Sequence, residues 1–261
     1  MEEQQSTATP GVQPMSFSDK MINIFVSPGE VFENVRLTGK TTSNWLVPMI
    51  IFILVAVGLS QLVLSNASLN DQLGSMISKR FEKQISEQIA QGKITPEQAE
   101  QARGSYETFA KPGSMWFTIS QIGGIAIMTP VALFVLSLVY WLIGKTAMSA
   151  QSTYGKVVEV VGLTFFISIA EQIFTTLLMV VLDNIHATPS AALAILTQFN
   201  AEDKLHLVLA KLNVFTFWDL SVLSIGLSQL FQRDLPKVMV LVFALWILWS
   251  AVTVLTGFTA G

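Results

Sequence analysis

The chain has 261 residues, of which 51% are hydrophobic and only 13% are charged, and its formal net charge is −3. A soluble domain usually carries about 25% charged residues, so this composition excludes an ordinary soluble domain, and the small negative charge argues against a nucleic-acid partner. Cysteine is absent and histidine occurs twice. Disulfides and cysteine chemistry are therefore excluded, and the histidines are too few to predict a histidine metal site.

The N-terminal segment precedes the first apolar block. Residues 1–15 are rich in Gln, Thr and Pro and are expected to form a disordered tail without the apolar core of a signal peptide. Residues 27–30, Ser-Pro-Gly-Glu, form a capping-box pattern with proline at the first helical position, which predicts a helix start. We expect residues 16–44 to be a cytoplasmic amphipathic segment of two short helices. It lies either in the membrane interface or against the ends of the spans.

Five apolar blocks are each long enough to cross a bilayer, for which roughly 20 apolar residues suffice. The predicted spans are residues 45–64, 116–143, 157–182, 214–231 and 238–258, with Pro48 in the first turn of the first span. The fold class predicted from this pattern is all-α: a polytopic membrane protein with five transmembrane helices in a membrane domain of residues 45–261. The third block, from Tyr154 to Leu182, is the one around which we expect the others to pack.

A polar stretch, residues 66–113, separates the first two spans. Apolar residues recur every four positions from Leu73 to Ile89, which indicates one helix, and Gly92 can end it. A second capping box, residues 95–98, opens another helix. We therefore expect an extramembrane αα-hairpin with a solvated, charge-balanced surface. Because its two helices carry their own caps, the hairpin should be dispensable for insertion of the spans.

The short loops predict the orientation of the chain. Lys145 and Lys156 lie between the second and third spans, and Arg233 and Lys237 lie between the fourth and fifth. With five spans, both loops fall on the same face as the N-terminal segment, and basic short loops mark the cytoplasmic side. The N-terminus is therefore expected inside and the C-terminus outside.

Polar residues inside the spans are the candidates for function. Glu171 and Gln172 lie in the third span, Gln121 in the second and Asp219 in the fourth, a few residues below the outer surface. An ionised group in mid-membrane is costly, so Glu171 must face protein or water. No Lys or Arg lies deep in a span, so we expect no buried ion pair. A neutral Glu171 is then expected to share hydrogen bonds with Gln121, Gln172 or a neighbouring hydroxyl.

Three roles remain open for these polar residues: hydrogen bonding between helices, which we favour, a proton or cation path, or contact with a lipid headgroup. Two groups of small residues are typical of helix packing, namely Gly123-Gly124, and Ser224 with Gly226 and Ser228. The sequence contains no HExxH, Walker A or GxSxG motif. We predict no catalytic residue, no cofactor and no metal site, and hence no enzyme.

Three stretches carry a family resemblance: FVSPGEVFENV followed by Trp45 and Pro48, YGKVVEVVG from Tyr154, and NVFTFWDLSVLSIGLSQLF followed by a short basic turn and VLVFALWILW. In order and spacing they resemble bacterial members of the Yip1 domain family, which are five-span membrane proteins. The resemblance covers about residues 20–258. It implies a multi-pass protein of the bacterial cytoplasmic membrane without enzymatic activity.

Two functions from different classes follow. The first is a membrane-organising or partner-binding module that contacts the lipid bilayer, other membrane proteins or a second copy of itself. The alternative is a small transporter or channel subunit that uses Glu171 and Asp219. Solvent access discriminates between them, because a transporter needs a polar cavity that reaches Glu171.

Overall fold

The computed structural model describes residues 13–256, and within them the chain forms ten α-helices and no β-strand. The helices are α1 Phe17–Val26, α2 Pro28–Leu37, α3 Ser43–Ser65, α4 Ala67–Ala90, α5 Pro96–Ser105, α6 Met115–Ala147, α7 Tyr154–Val181, α8 Lys204–Lys211, α9 Val214–Phe231 and α10 Leu235–Thr256. A π-helical turn, Tyr106–Ala110, and a 3-10 segment, Ala191–Gln198, complete the helical structure of the described residues. The predicted all-α class is confirmed.

Five of the described helices, α3, α6, α7, α9 and α10, are long and apolar enough to cross a membrane. They coincide with the five predicted blocks. Helix α3 begins at Ser43, two residues before the predicted start, so Pro48 lies inside the helix and not in its first turn. The end of the fifth predicted span, at residue 258, lies outside the described residues.

Helix α7 is the most buried of the five and packs against α1, α2, α3, α6 and α9. Its valine-rich first half is almost wholly inside the protein. Gly162 sets the approach of α3, because a Cβ at this position would overlap the backbone of Trp45 and lie 3.2 Å from the carbonyl oxygen of Asn44. The stretch expected to organise the bundle therefore does so.

The two N-terminal helices pack against the sides of α7 and α9. Val31, Phe32 and Val35 of α2 are fully buried. The Phe32 ring lies 3.0 Å from the position that a Gly226 Cβ would occupy, so this small residue makes room for it. Of the two placements left open by the sequence, packing on the protein is therefore the one found, along the flanks of the spans more than at their ends.

The junctions of this segment differ from expectation in two places. Ser27 precedes α2 as predicted, but its side chain makes no capping bond. Its own N–H closes α1 by donating to the Asn23 carbonyl at 2.8 Å, which leaves Ser27 in a backbone conformation unsuited to capping. Of the expected disordered tail, residues 1–12 lie outside the described residues. The next residues are held by Asn34, whose Oδ1 accepts from the Met15 N–H at 3.0 Å.

Helices α4 and α5 form the predicted hairpin. Gly92 has a positive φ of 65° at the turn, and Thr95 makes both bonds of its capping box with Gln98. Phe81 of α4 stacks on Tyr106, the residue that directly follows α5, with ring centroids 4.6 Å apart.

The base of the hairpin is bonded to the segment between α7 and α9. The Ser68 hydroxyl donates to Asp183 at 2.9 Å, and Gln72 accepts from the Ile185 N–H at 3.1 Å. Further out, Lys83 pairs with Glu202 at 3.2 Å. The hairpin is thus docked on this segment and does not stand free of the rest of the chain.

Candidate functional site

Glu171 is bonded to the start of α9. The Asn213 amide donates from Nδ2 to Oε1 of Glu171 at 2.6 Å. Asn213 is also the N-cap of α9, since its Oδ1 accepts from the Phe215 N–H at 2.9 Å. The partners expected from the sequence, Gln121 and Gln172, do not form this bond.

The sequence reasoning missed Asn213 although a signal was present. An asparagine directly before an apolar block is a typical helix N-cap. The side chain of Asn213 therefore lies at the very start of the fourth span, but the sequence does not show how deep in the membrane that span starts. The segment between α7 and α9 returns into the bundle before α9 begins, and it brings Asn213 to the level of Glu171.

A cleft of about 580 Å³ opens beside Glu171, between α3, α6 and α7. Its polar lining consists of Glu171, Gln172, Ser60, Thr129, Ser168, Thr175, Thr176, Thr188 and Asn213. Small and hydroxyl-bearing residues thus dominate the polar part of a surface within the membrane-spanning region. The cleft reaches Glu171, but most of its exposed lining surface is apolar, so it is not the polar cavity that the transport hypothesis requires.

Aromatic residues are packed on the side of this cleft nearer the start of α7. Phe52, which lines the cleft, lies against Phe165 with ring centroids 5.0 Å apart. Beyond this pair, Trp45 meets Phe134 edge-on at 5.4 Å. The cleft therefore ends on packed rings in this direction, where the first half of α7 is buried.

Asp219 and Gln121 do not join Glu171 at the cleft. Asp219 lies near Thr164 in the first half of α7, and its Oδ1 is buried without a partner among the described residues. Its position is deeper than the few residues below the surface that the sequence predicted. The reason is that α9 starts opposite Glu171, ten residues before α7 ends at Val181. The Oε1 of Gln121 is likewise buried and unpaired among these residues.

A second polar cluster lies near the start of α7, where Glu159 is 2% exposed. Lys156, one turn earlier, pairs with Glu159 Oε1 at 3.2 Å. The Asn44 amide donates to Oε2 of Glu159 at 2.6 Å, and the Lys20 ammonium donates to Oδ1 of Asn44 at 3.1 Å. The cluster ties α1, α3 and α7 together.

The expectation that no buried ion pair forms is therefore wrong. The sequence predicts Lys156 in a loop, but it is the third residue of α7. Its ammonium also donates to the carbonyl oxygens of Val35 and Gly39, at 2.6 and 2.9 Å. Lys20 arrives from outside the spans, and burial lowers the pKa of its ammonium, an effect that the nearby charge of Glu159 opposes.

No group of three or more His, Cys, Asp or Glu side chains within residues 13–256 is arranged to hold a metal ion. The carboxyl groups of Glu171 and Glu159 are each engaged by an amide or ammonium donor. The chemistry that the cleft at Glu171 offers is hydrogen bonding in an apolar surrounding.

The sequence matches the Yip1 domain over residues 22–257, a range that includes the five described helices long and apolar enough to cross a membrane. No match was found among curated proteins or among solved structures.

Proposed function

Because the chain belongs to the Yip1 domain family, it is a multi-pass integral membrane protein in contact with the lipid bilayer, and we propose that it acts without enzymatic activity as a partner-binding module. The proposed partner is a membrane-spanning helix, from another protein or from a second copy of this chain. The proposed location is the bacterial cytoplasmic membrane, with the N-terminus inside.

The observation that carries this proposal is the composition of the cleft at Glu171. Helices associate in membranes where small residues allow close approach and where Ser, Thr, Gln or Glu side chains form bonds between helices. Ser60, Ser168 and Thr175 line the cleft and meet the first condition. Glu171 and Gln172 meet the second, since the Asn213 amide occupies only one of the acceptor sites on the Glu171 carboxyl group.

Site-specific photo-crosslinking in native membranes tests this proposal. A crosslinking residue replaces Ser60, in the cleft, or Val252, an exposed residue on α10. Each lies seventeen residues after the first residue of its helix, α3 or α10, so the two probes sit at similar depth. We expect a discrete protein adduct from position 60 only. Lipid adducts alone at both positions would refute partner binding in the cleft.

Transport is the second candidate, because the same cleft reaches Glu171. A conducting path would have to continue from Glu171 past Asp219 and the packed ring pair of Phe52 and Phe165. The paired substitutions of Glu171 described in the Discussion separate this candidate from partner binding.

A further inference from the structure

A basic pocket of about 420 Å³ lies where the end of α2, the start of α7 and the end of α9 meet. Its lining residues include Arg36, Lys40, Lys156, Arg233, Ser149, Ser152 and Thr153. Four basic residues and no acidic residue of the described chain line it. A concave surface with one sign of charge raises the local concentration of ions of the opposite sign.

Lys40 lies where a cation is unfavourable on its own. Its Cδ and Cε are 3.6 Å, and its Nζ 3.9 Å, from the position that a Cβ on Gly155 would occupy in the first turn of α7. The start of a helix carries a partial positive charge and free N–H groups. Thr153, the N-cap residue, makes no capping bond with its side chain. Lys40 itself forms no ion pair or hydrogen bond within residues 13–256.

Arg36 also has unused binding capacity. Its Nε is buried without a hydrogen-bond partner in the described part of the chain. Its Nη2 is 3.5 Å from Glu33, whose side chain is 55% exposed, so this pair contributes little.

The other two cations are accounted for within the protein. Lys156 is paired with Glu159. Arg233 follows the end of α9, where the helix dipole favours a cation, and its Nε donates to the Met148 carbonyl at 2.7 Å. Nearby Asp234 is engaged by Lys237 at 2.7 Å. The uncompensated charge is therefore that of Arg36 and Lys40.

We propose that the basic pocket binds a phosphate group. A guanidinium fork, an ammonium and the free N–H groups of a helix start are the donors that recognise phosphate in proteins, and the hydroxyls of Ser152 and Thr153 add further donors. The pocket lies at the ends of the apolar spans, at the level where phospholipid headgroups lie. The ligand we assign is the headgroup of an anionic phospholipid. A free phosphate ion offers the same chemistry and is separated from it by experiment.

Binding of phosphatidylglycerol to the detergent-solubilised full chain, measured by native mass spectrometry, tests the proposal. Phosphatidylcholine and inorganic phosphate are the comparison ligands. We expect phosphatidylglycerol to bind more tightly than phosphatidylcholine, and Lys40→Gln and Arg36→Gln each to weaken it about fivefold, the effect of one basic residue near an anionic lipid surface. The charge-keeping Lys40→Arg should retain binding.

Lys145→Gln is the matched control. Lys145 lies over the Trp141 ring in the last turn of α6, shortly before Ser149 and Ser152, but it does not line the pocket. The Lys145→Gln variant should bind phosphatidylglycerol as tightly as the wild type. An equal loss of affinity in this variant would mean that the effect comes from general surface charge, and it would overturn the proposal. Displacement of phosphatidylglycerol by millimolar inorganic phosphate would support the pocket and assign it to a free ion. The wild-type protein gives a further test that does not depend on whether a variant folds. If its affinity for phosphatidylglycerol does not fall with added salt, the proposal is also overturned.

Discussion

At the scale of single residues, both acids of α7, the buried Glu159 and the partly buried Glu171, receive a donor from an element outside their own helix. Asn213 reaches Glu171 from the start of α9, and Asn44 reaches Glu159 from the start of α3. Buried polar groups without such partners are strongly destabilising. The two acids therefore each bond α7 to a neighbouring helix.

The Asn213 bond predicts how substitutions of Glu171 behave. Glu171→Gln keeps an oxygen that can accept from Asn213, so melting temperature and growth should stay close to wild type. Glu171→Leu leaves that amide unpaired and should cost about 0.5–2 kcal/mol of stability. Thermal unfolding and growth are measured on both variants. A Gln variant that is folded but as inactive as the Leu variant would favour transport, since ion exchange needs the ionisable form.

The cluster at the start of α7 predicts a larger effect. Glu159→Gln leaves the charges of Lys156 and Lys20 uncompensated in a buried site, and removing one partner of a buried pair costs about 3–5 kcal/mol. Asp234→Asn is the control, because Asp234 is 70% exposed in its pair with Lys237 and the loss should stay below about 1 kcal/mol. Similar melting temperatures for the two variants would contradict a structural role of the cluster.

At the scale of helices, glycines decide which pairs approach closely. Gly162 and Gly226 lie at contacts with other helices, as expected for small residues, whereas a Cβ on Gly123 or Gly124 would meet no described atom within 4 Å. The predicted packing role is therefore found in α9, while the Gly123-Gly124 face of α6 is free within the described chain.

This contrast predicts opposite results for two matched substitutions. Gly162→Ala should destabilise the protein by about 1–3 kcal/mol, because the new methyl group overlaps the backbone of Trp45. Gly123→Ala should be neutral or stabilising by up to about 1 kcal/mol through helix propensity. Thermal unfolding checks both, and a stable Gly162→Ala protein would show that α3 can move away from α7 at little cost.

The hairpin of α4 and α5 remains, as a prediction, dispensable for insertion. Its helices carry their own caps and ion pairs, such as Arg103 with Glu82 at 3.0 Å. Deleting residues 70–110 removes Gln72, so we expect faster proteolysis of the segment between α7 and α9, to which Gln72 is bonded. Membrane extraction of the deletion protein tests whether its spans still insert stably. Loss of stable insertion would mean that the hairpin is needed to assemble the bundle.

At the scale of the whole molecule, the basic short loops meet at one end. The Arg233 guanidinium donates to Met148, which joins the two loops, and Lys156 donates to Val35 and Gly39 of the N-terminal segment. The last described helix, α10, starts at this end with Leu235 and ends with Thr256 at the other end of the bundle.

This arrangement predicts an N-terminus inside and a C-terminus outside. A periplasm-active reporter fused after Gly261 should be active, and the same reporter fused in the loop at Gln151 should be inactive. A cytoplasmic reporter that is active at Gly261 would be incompatible with five spans in this orientation.

The sequence by itself determined the elements. Runs of about 20 apolar residues have few alternatives to a spanning helix, because backbone groups in lipid must bond within their own segment. Capping residues such as Thr95, and the turn at Gly92, likewise act over a few neighbouring positions, so the hairpin could be predicted from local pattern alone.

Only the tertiary structure decided which polar groups meet. Glu171 and Asn213 are 42 positions apart, and Asn44 and Glu159 are 115 apart. Their pairing depends on where each helix starts along its neighbour, which a hydrophobic pattern does not encode. The level of α9 is set by a connecting segment outside the spans, and that of α3 by the close contact at Gly162. For this reason Asp219 lies deeper than predicted. Lys156, which the sequence predicts in a loop, pairs instead with a buried acid.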